Sequence, residues 1–168
     1  MTRILVAGVG NIFLRDDGFG PEAVHRLMCQ DGGSWQPPDG VHVVDYGIRG
    51  MHLAYDLVDG YDVLLLVDAI PGDSDPGTIA VLEVDANDLS AGQIDAHGMD
   101  PVAVLGSVRS LGGELPRAYV VGCQPADVTD GIGLSDEVTG ALDEAVTTIK
   151  RLVADLASDV MATATRQG

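Results

Sequence analysis

The stretch Val63-Leu64-Leu65-Leu66-Val67-Asp68 is an unbroken apolar run that stops at a carboxylate. A run this short, bounded by polar residues, is the signature of a strand buried on both faces, and such strands occupy the centre of parallel sheets. Residues 3–9 repeat the pattern and are ended by a glycine, Gly10, giving a first strand; Val41 to Tyr46 and Ala118 to Val121 supply two more. Thr78 to Val84 is a further strand, but only about ten residues containing Pro71, Gly72, Pro76 and Gly77 separate it from the central one. That link is too short for a helical crossover, so this strand is predicted to run antiparallel to its predecessor.

Between the strands the periodicity changes to that of helices. Gly20-Pro21 opens a segment with Ala23, Val24, Leu27 and Met28 at helical spacing, and Pro21 suits a first turn, where its missing N–H costs nothing. A helix is expected from there to about Cys29, followed by a surface loop over residues 31–40 that Trp35 anchors. Gly50 to Val58 is a second helix. Asp100-Pro101 reads as cap and first helical position of a third, carrying Val104, Leu105, Val108 and Leu111 and stopped by Gly112-Gly113. Ser135-Asp136-Glu137 caps a long last helix with Val138, Leu142, Ala145, Ile149, Val153 and Leu156 on one face. Five strands interleaved with helices predict an α/β fold, a three-layer α/β/α sandwich around a mostly parallel sheet with one antiparallel strand. Residues 1–160 are read as a single domain and 161–168 as a frayed tail.

Of 168 residues, 26 are acidic and 9 basic, a formal charge of −17. Such a surface repels phosphate backbones, so nucleic acid is not an expected partner. Most of the excess is read as a solvated acidic surface. Cys29 and Cys123 show no C-x-x-C or C-x-x-H spacing, so neither a zinc knuckle nor a redox pair is indicated, and a reducing compartment is the default. The opening apolar residues are too few for a signal peptide and lead directly into Gly8-Val9-Gly10-Asn11, so they read as strand; no run approaches a membrane span. A cytoplasmic protein free of membranes, without a clear oligomer interface and therefore monomeric, is the expectation.

Ligands of open α/β sheets bind beyond the carboxyl ends of the strands, which directs attention to residues 8–17 and to Asp68. A dinucleotide fingerprint G-x-G-x-x-G fails, because Phe13 stands where the third glycine is needed and Asp16 and Asp17 would repel a pyrophosphate. Asp68, at the end of five apolar residues, is costly to bury unless something pairs with it; the plainer reading is a cap of the following turn. Asp17, with Asp16, also suits a helix N-terminus. His97 lies in the segment 85–99, long enough to return to that end of the sheet, although a lone loop histidine is ordinarily a polar surface residue. His25, His42 and His52 fall on predicted helices and a strand. Taken together, Asp17, Asp68 and His97 make an oxygen, oxygen and nitrogen set suited to a borderline divalent metal such as nickel or zinc. No G-x-S-x-G elbow is present, Ser74 sits in a turn, and Cys123 at a strand end, without an evident partner base, is read as a thiol of the core or one that backs the site's ligands.

The ordered set Gly8-Val9-Gly10-Asn11, Asp16-Asp17-Gly18-Phe19-Gly20, Gly47-Ile48-Arg49-Gly50, Val67-Asp68-Ala69, His97 before Asp100-Pro101, Gly122-Cys123-Gln124-Pro125 and Gly133-Leu134-Ser135 resembles the hydrogenase maturation proteases, over nearly the whole chain. These endopeptidases trim the large subunit of nickel-iron hydrogenases after nickel insertion. The resemblance implies a phosphorylase/hydrolase-like five-stranded mixed sheet and a large-subunit precursor as substrate. It also implies Asp17, Asp68 and His97 as metal-binding and catalytic positions, with nickel supplied by the substrate and no organic cofactor. Cys123 departs mildly from the family pattern, where an aliphatic residue often precedes Gln-Pro. Two other readings use the same three ligands: a nickel-checkpoint chaperone that holds the precursor without cutting, and a self-metallated aminopeptidase-like hydrolase.

Overall fold

The structure is a computed structural model that describes residues 2–84 and 101–166. Five strands, β1 (Ile4–Val9), β2 (Val41–Gly47), β3 (Val63–Ala69), β4 (Ile79–Val84) and β5 (Arg117–Cys123), form one sheet in the order β2-β1-β3-β5-β4. β1 pairs in parallel with β2 and β3, and β3 in parallel with β5, while β4 lies antiparallel on β5. The short link therefore does reverse the chain, as expected. It also carries β4 past the position that β5 later fills, out to the sheet edge.

Alternation along the central strands divides the apolar side chains between two cores. Ile4 and Val6 of β1 and Val63, Leu65 and Val67 of β3 face α1 (Phe19–Cys29) and α4 (Asp136–Arg166). Leu5, Ala7, Leu64 and Leu66 face α2 (Gly50–Val58) and α3 (Pro101–Ser110). Both faces of β1 and β3 are thus covered by helices, which is why their sequences are apolar without a break. Each fully buried aliphatic side chain contributes about 1.5–3 kcal/mol of transfer free energy.

Helix boundaries follow local chemistry. α1 begins at Phe19, placing Pro21 in its first turn. α4 is capped by Ser135, whose Oγ accepts from the N–H of Val138 at 3.4 Å. The sequence reading takes residues 161–168 as a frayed tail; α4 is described through Arg166, over 31 residues. Trp35 packs partly buried against the core on the α4 side, with the Lys150 ammonium 5.9 Å from its ring centroid, in keeping with its reading as a loop anchor. The cap position Asp100 and the segment 85–99 lie outside the described residues. Among the described residues, no helix is long and apolar enough to cross a membrane.

Candidate functional site

β1 and β3 are neighbours, so the loop after β1 emerges beside the end of β3, and two glycines allow it to pack there. A Cβ on Gly20 would lie 2.2 Å from the carbonyl oxygen of Val67 and 2.3 Å from that of Val9. Only a glycine lets the start of α1 rest on both strand ends. A Cβ on Gly10, whose φ is +144°, would meet the carbonyl oxygen of Asp17 at 1.9 Å. The intervening residues Arg15–Gly18 form a single 3-10 turn pressed against the sheet. The sequence pattern did not show this turn.

The turn brings Asp17 into electrostatic contact with Asp68. Burial raises the carboxyl of Asp17 above the ordinary carboxylate range, partly offset by the backbone N–H of Asn11, which donates to Oδ2 at 2.8 Å. The carboxyl of Asp68 is held well above that range, first by burial and then by the negative charge of Asp17, with the N–H of Ala69 offsetting part. Two acids that each disfavour ionisation, at the carboxyl end of a parallel sheet, form a site that gains from a cation. The capping role considered for Asp68 does not neutralise it. His97 lies outside the described residues, so the structure brings together two of the three positions singled out by sequence. Among the described residues, no group of three or more His, Cys, Asp or Glu side chains is placed to hold a metal ion.

Asp16 received no role from sequence reasoning beyond repelling a pyrophosphate and suiting a helix N-terminus. It is fully buried, yet its carboxyl is lowered below the ordinary value. Burial is the largest influence and would raise it, but the opposing hydrogen bonds together outweigh that effect. The donors are the N–H groups of Ala126 (2.8 Å), Asp127 (3.0 Å) and Ser135 (2.7 Å) and the Ser135 hydroxyl (2.9 Å). Asp16 therefore clamps the 126–135 loop onto the turn that carries Asp17. No local motif signals this, because the donors lie far away in the chain.

Other chemistry-bearing residues have ordinary surroundings. His42 shares a 2.8 Å hydrogen bond with the Tyr61 hydroxyl, and His25 and His52 sit on α1 and α2. Ser74 is exposed in the link after β3. Cys123 is a fully buried core residue whose thiol burial pushes up to about 11, so it is a poor nucleophile, as expected of a core thiol.

The family model for hydrogenase maturation protease matches residues 26–152. The chain belongs to the hydrogenase maturation protease family. It is 36% identical over 148 residues to a putative hydrogenase maturation protease of Methanocaldococcus jannaschii, covering 85% of this chain and 91% of that protein. To the hydrogenase 2 maturation protease of Escherichia coli it is 34% identical, covering 86% of each. The solved hydrogenase maturating endopeptidase HybD of E. coli superposes with a TM-score of 0.77 at 30% identity, over 92% of this chain and 93% of that one. As a hydrogenase maturation protease, the chain is a peptidase, and its mixed sheet with helices on both sides is the fold of HybD.

Proposed function

We propose that this hydrogenase maturation protease removes the C-terminal extension of a nickel-iron hydrogenase large-subunit precursor. In this reading residues 1–160 act as one peptidase domain, working as a monomer in the cytoplasm. The nickel already carried by the precursor is the recognition element, and Asp17, Asp68 and His97 are the groups that meet it. The observation that supports this reading is the paired carboxyls of Asp17 and Asp68, both raised by burial and the latter further by its neighbour's charge. Such a pair is unfavourable by itself and becomes favourable when a divalent cation is presented to it. A precursor without nickel offers no compensating charge, so cleavage waits on metal insertion.

Within the site the roles divide by environment. Asp68 projects from the end of β3, a strand buried along almost its whole length, and provides the less solvated carboxylate. Asp17 is aimed by the N–H of Asn11, which occupies one oxygen and fixes the orientation of the other. A metal held there can position the precursor next to the scissile bond, polarise its carbonyl or activate water.

The test is to incubate the purified chain with nickel-loaded and nickel-free precursor and weigh the products. Loss of the extension from the loaded form alone is expected. Cleavage of both forms alike would remove nickel recognition from the reading; cleavage of neither would leave a checkpoint that binds without cutting.

A further inference from the structure

The loop after β1 and the loop before α4 are stitched into one rim, and beside it lies a groove that the carboxylate site does not use. The Gly131 N–H donates to the Phe13 carbonyl at 2.9 Å, and the N–H groups of Arg15 and Asp16 donate to the carbonyls of Gly131 (3.1 Å) and Asp127 (3.0 Å). The groove, about 370 Å³ in volume, runs under this rim between α1 and α4. Ile12, Ile132, Leu134 and Leu142 supply its apolar lining, and Arg15, Glu22 and Arg26, the last paired with Asp143, its charged groups. Ile132 is 76% exposed and Ile12 46%, with Phe13 (61%) and Val128 (48%) exposed on the same two loops. An apolar cluster of this kind on an otherwise highly charged surface marks a contact site.

Arg15 distinguishes the groove from a bare apolar patch. Its φ of +49° is the left-handed region, and it is the one non-glycine residue there among those described. Strain of this sort costs about 1 kcal/mol and concentrates at functional positions. Its guanidinium lies against Gly131, where a Cβ would meet Cζ at 2.7 Å. Its Nε is buried without a hydrogen-bond partner, and the nearest carboxylate, Asp127, is 3.7 Å away. The guanidinium is therefore held in place by its ion pair with Asp127, while its side chain remains 43% exposed and open to a further acceptor.

The geometry points to this groove as a docking subsite for an extended peptide segment of the precursor. An apolar side chain of that segment sits between Ile12 and Ile132, and Arg15 donates to one of its backbone carbonyls or carboxylates. Arg15 and Gly18, which flank Asp17 on the same turn, both line the groove, so a segment held there lies against the turn that carries one of the two site carboxyls. A second copy of this chain is disfavoured as occupant, since two bodies of formal charge −17 repel one another.

This assignment rests on the peptidase reading, and two measurements separate their failures. Affinity of full-length, nickel-loaded precursor is measured by biolayer interferometry, and its cleavage followed by mass, for wild type, Ile132→Ser and Arg15→Gln. Each variant is expected to raise Kd and KM by about tenfold, the scale of a truncated contact at the centre of an interface. Saturating precursor is expected to restore most of the rate. Unchanged Kd in both variants overturns the groove, as does a wild type that binds no precursor. Wild type that binds but does not cut overturns the peptidase reading while the Kd comparison still decides the groove. Should Arg15→Gln lose its circular dichroism spectrum, exposed Ile132 decides alone. Sedimentation showing a wild-type dimer that Ile132→Ser dissociates would assign the groove to a second copy and overturn the proposal.

Discussion

Asp16 and Asp17 are chain neighbours on one 3-10 turn, yet their surroundings have opposite effects. Asp16 is fully buried and its carboxyl is lowered; Asp17 is only half-buried and its carboxyl is raised. The difference is the number of donors. Four hydrogen bonds saturate Asp16, whereas Asp17 receives one from Asn11 and then faces Asp68. Burial by itself does not determine what a carboxylate does; whether its charge is already answered by the protein does. The answered one holds structure together, and the unanswered pair is left for a partner.

The largest effect that tests this contrast is on activity. Asp68→Asn keeps the shape and removes the charge, so processing of nickel-loaded precursor is expected to fall by roughly 10²-fold or more, the range for losing a group that acts in the reaction. Precursor cleavage followed by mass, alongside circular dichroism, measures it. Undiminished cleavage would move the chemistry away from the β3 end altogether.

The next effect is on stability and belongs to the other carboxylate. Asp16→Ala orphans several buried donors at about 1–3 kcal/mol each, so a loss of at least about 3 kcal/mol is expected. Urea unfolding monitors it. Because the folded-state value is lowered, the contribution of Asp16 is present above the unfolded value and lost as pH falls through the folded one. The destabilisation should therefore be full at neutral pH and shrink in strong acid. A substitution tolerated at neutral pH would mean that the 126–135 loop is held by its backbone pairing alone.

How legible each carboxylate was follows from where its partners lie. Asp68 stood out because a polar residue closing an apolar strand has a cost that the sequence itself displays. Asp17 was drawn in because it follows the first strand, at the end of the sheet where ligands bind, and it is the resemblance to the family that sets it apart from Asp16. The clamping role of Asp16 was not legible, since its donors lie 110 to 119 positions away and no local pattern links them to it. The sheet shows the same division. Buried strands and the reversal of β4 follow from local run length and link length. The insertion of β5 between β3 and β4 depends on pairing that no local pattern encodes. The 3-10 turn at Arg15–Gly18 depends on the two close approaches at Gly10 and Gly20, which become apparent only once the strand ends are in place.

The smallest effect is also the one that separates the two carboxylates by sign. The carboxyl of Asp68 is raised in the folded chain, so its ionised form opposes folding. That penalty is absent below the unfolded value, where the group is protonated in both states, and grows as pH rises through the folded value. Asp68→Asn removes the penalty, and the variant is expected to be more stable than wild type at neutral pH. A gain of about 1 kcal/mol, typical when a strained functional group is removed, raises Tm by roughly 2–4 °C in a chain of this size. Melting curves from pH 8 downward should converge as the ordinary aspartate range is approached, whereas those of Asp16→Ala converge with wild type only in stronger acid and from the opposite side. If Asp68→Asn instead melts lower than wild type at neutral pH, the residue is answered within the fold after all, and the contrast with Asp16 disappears.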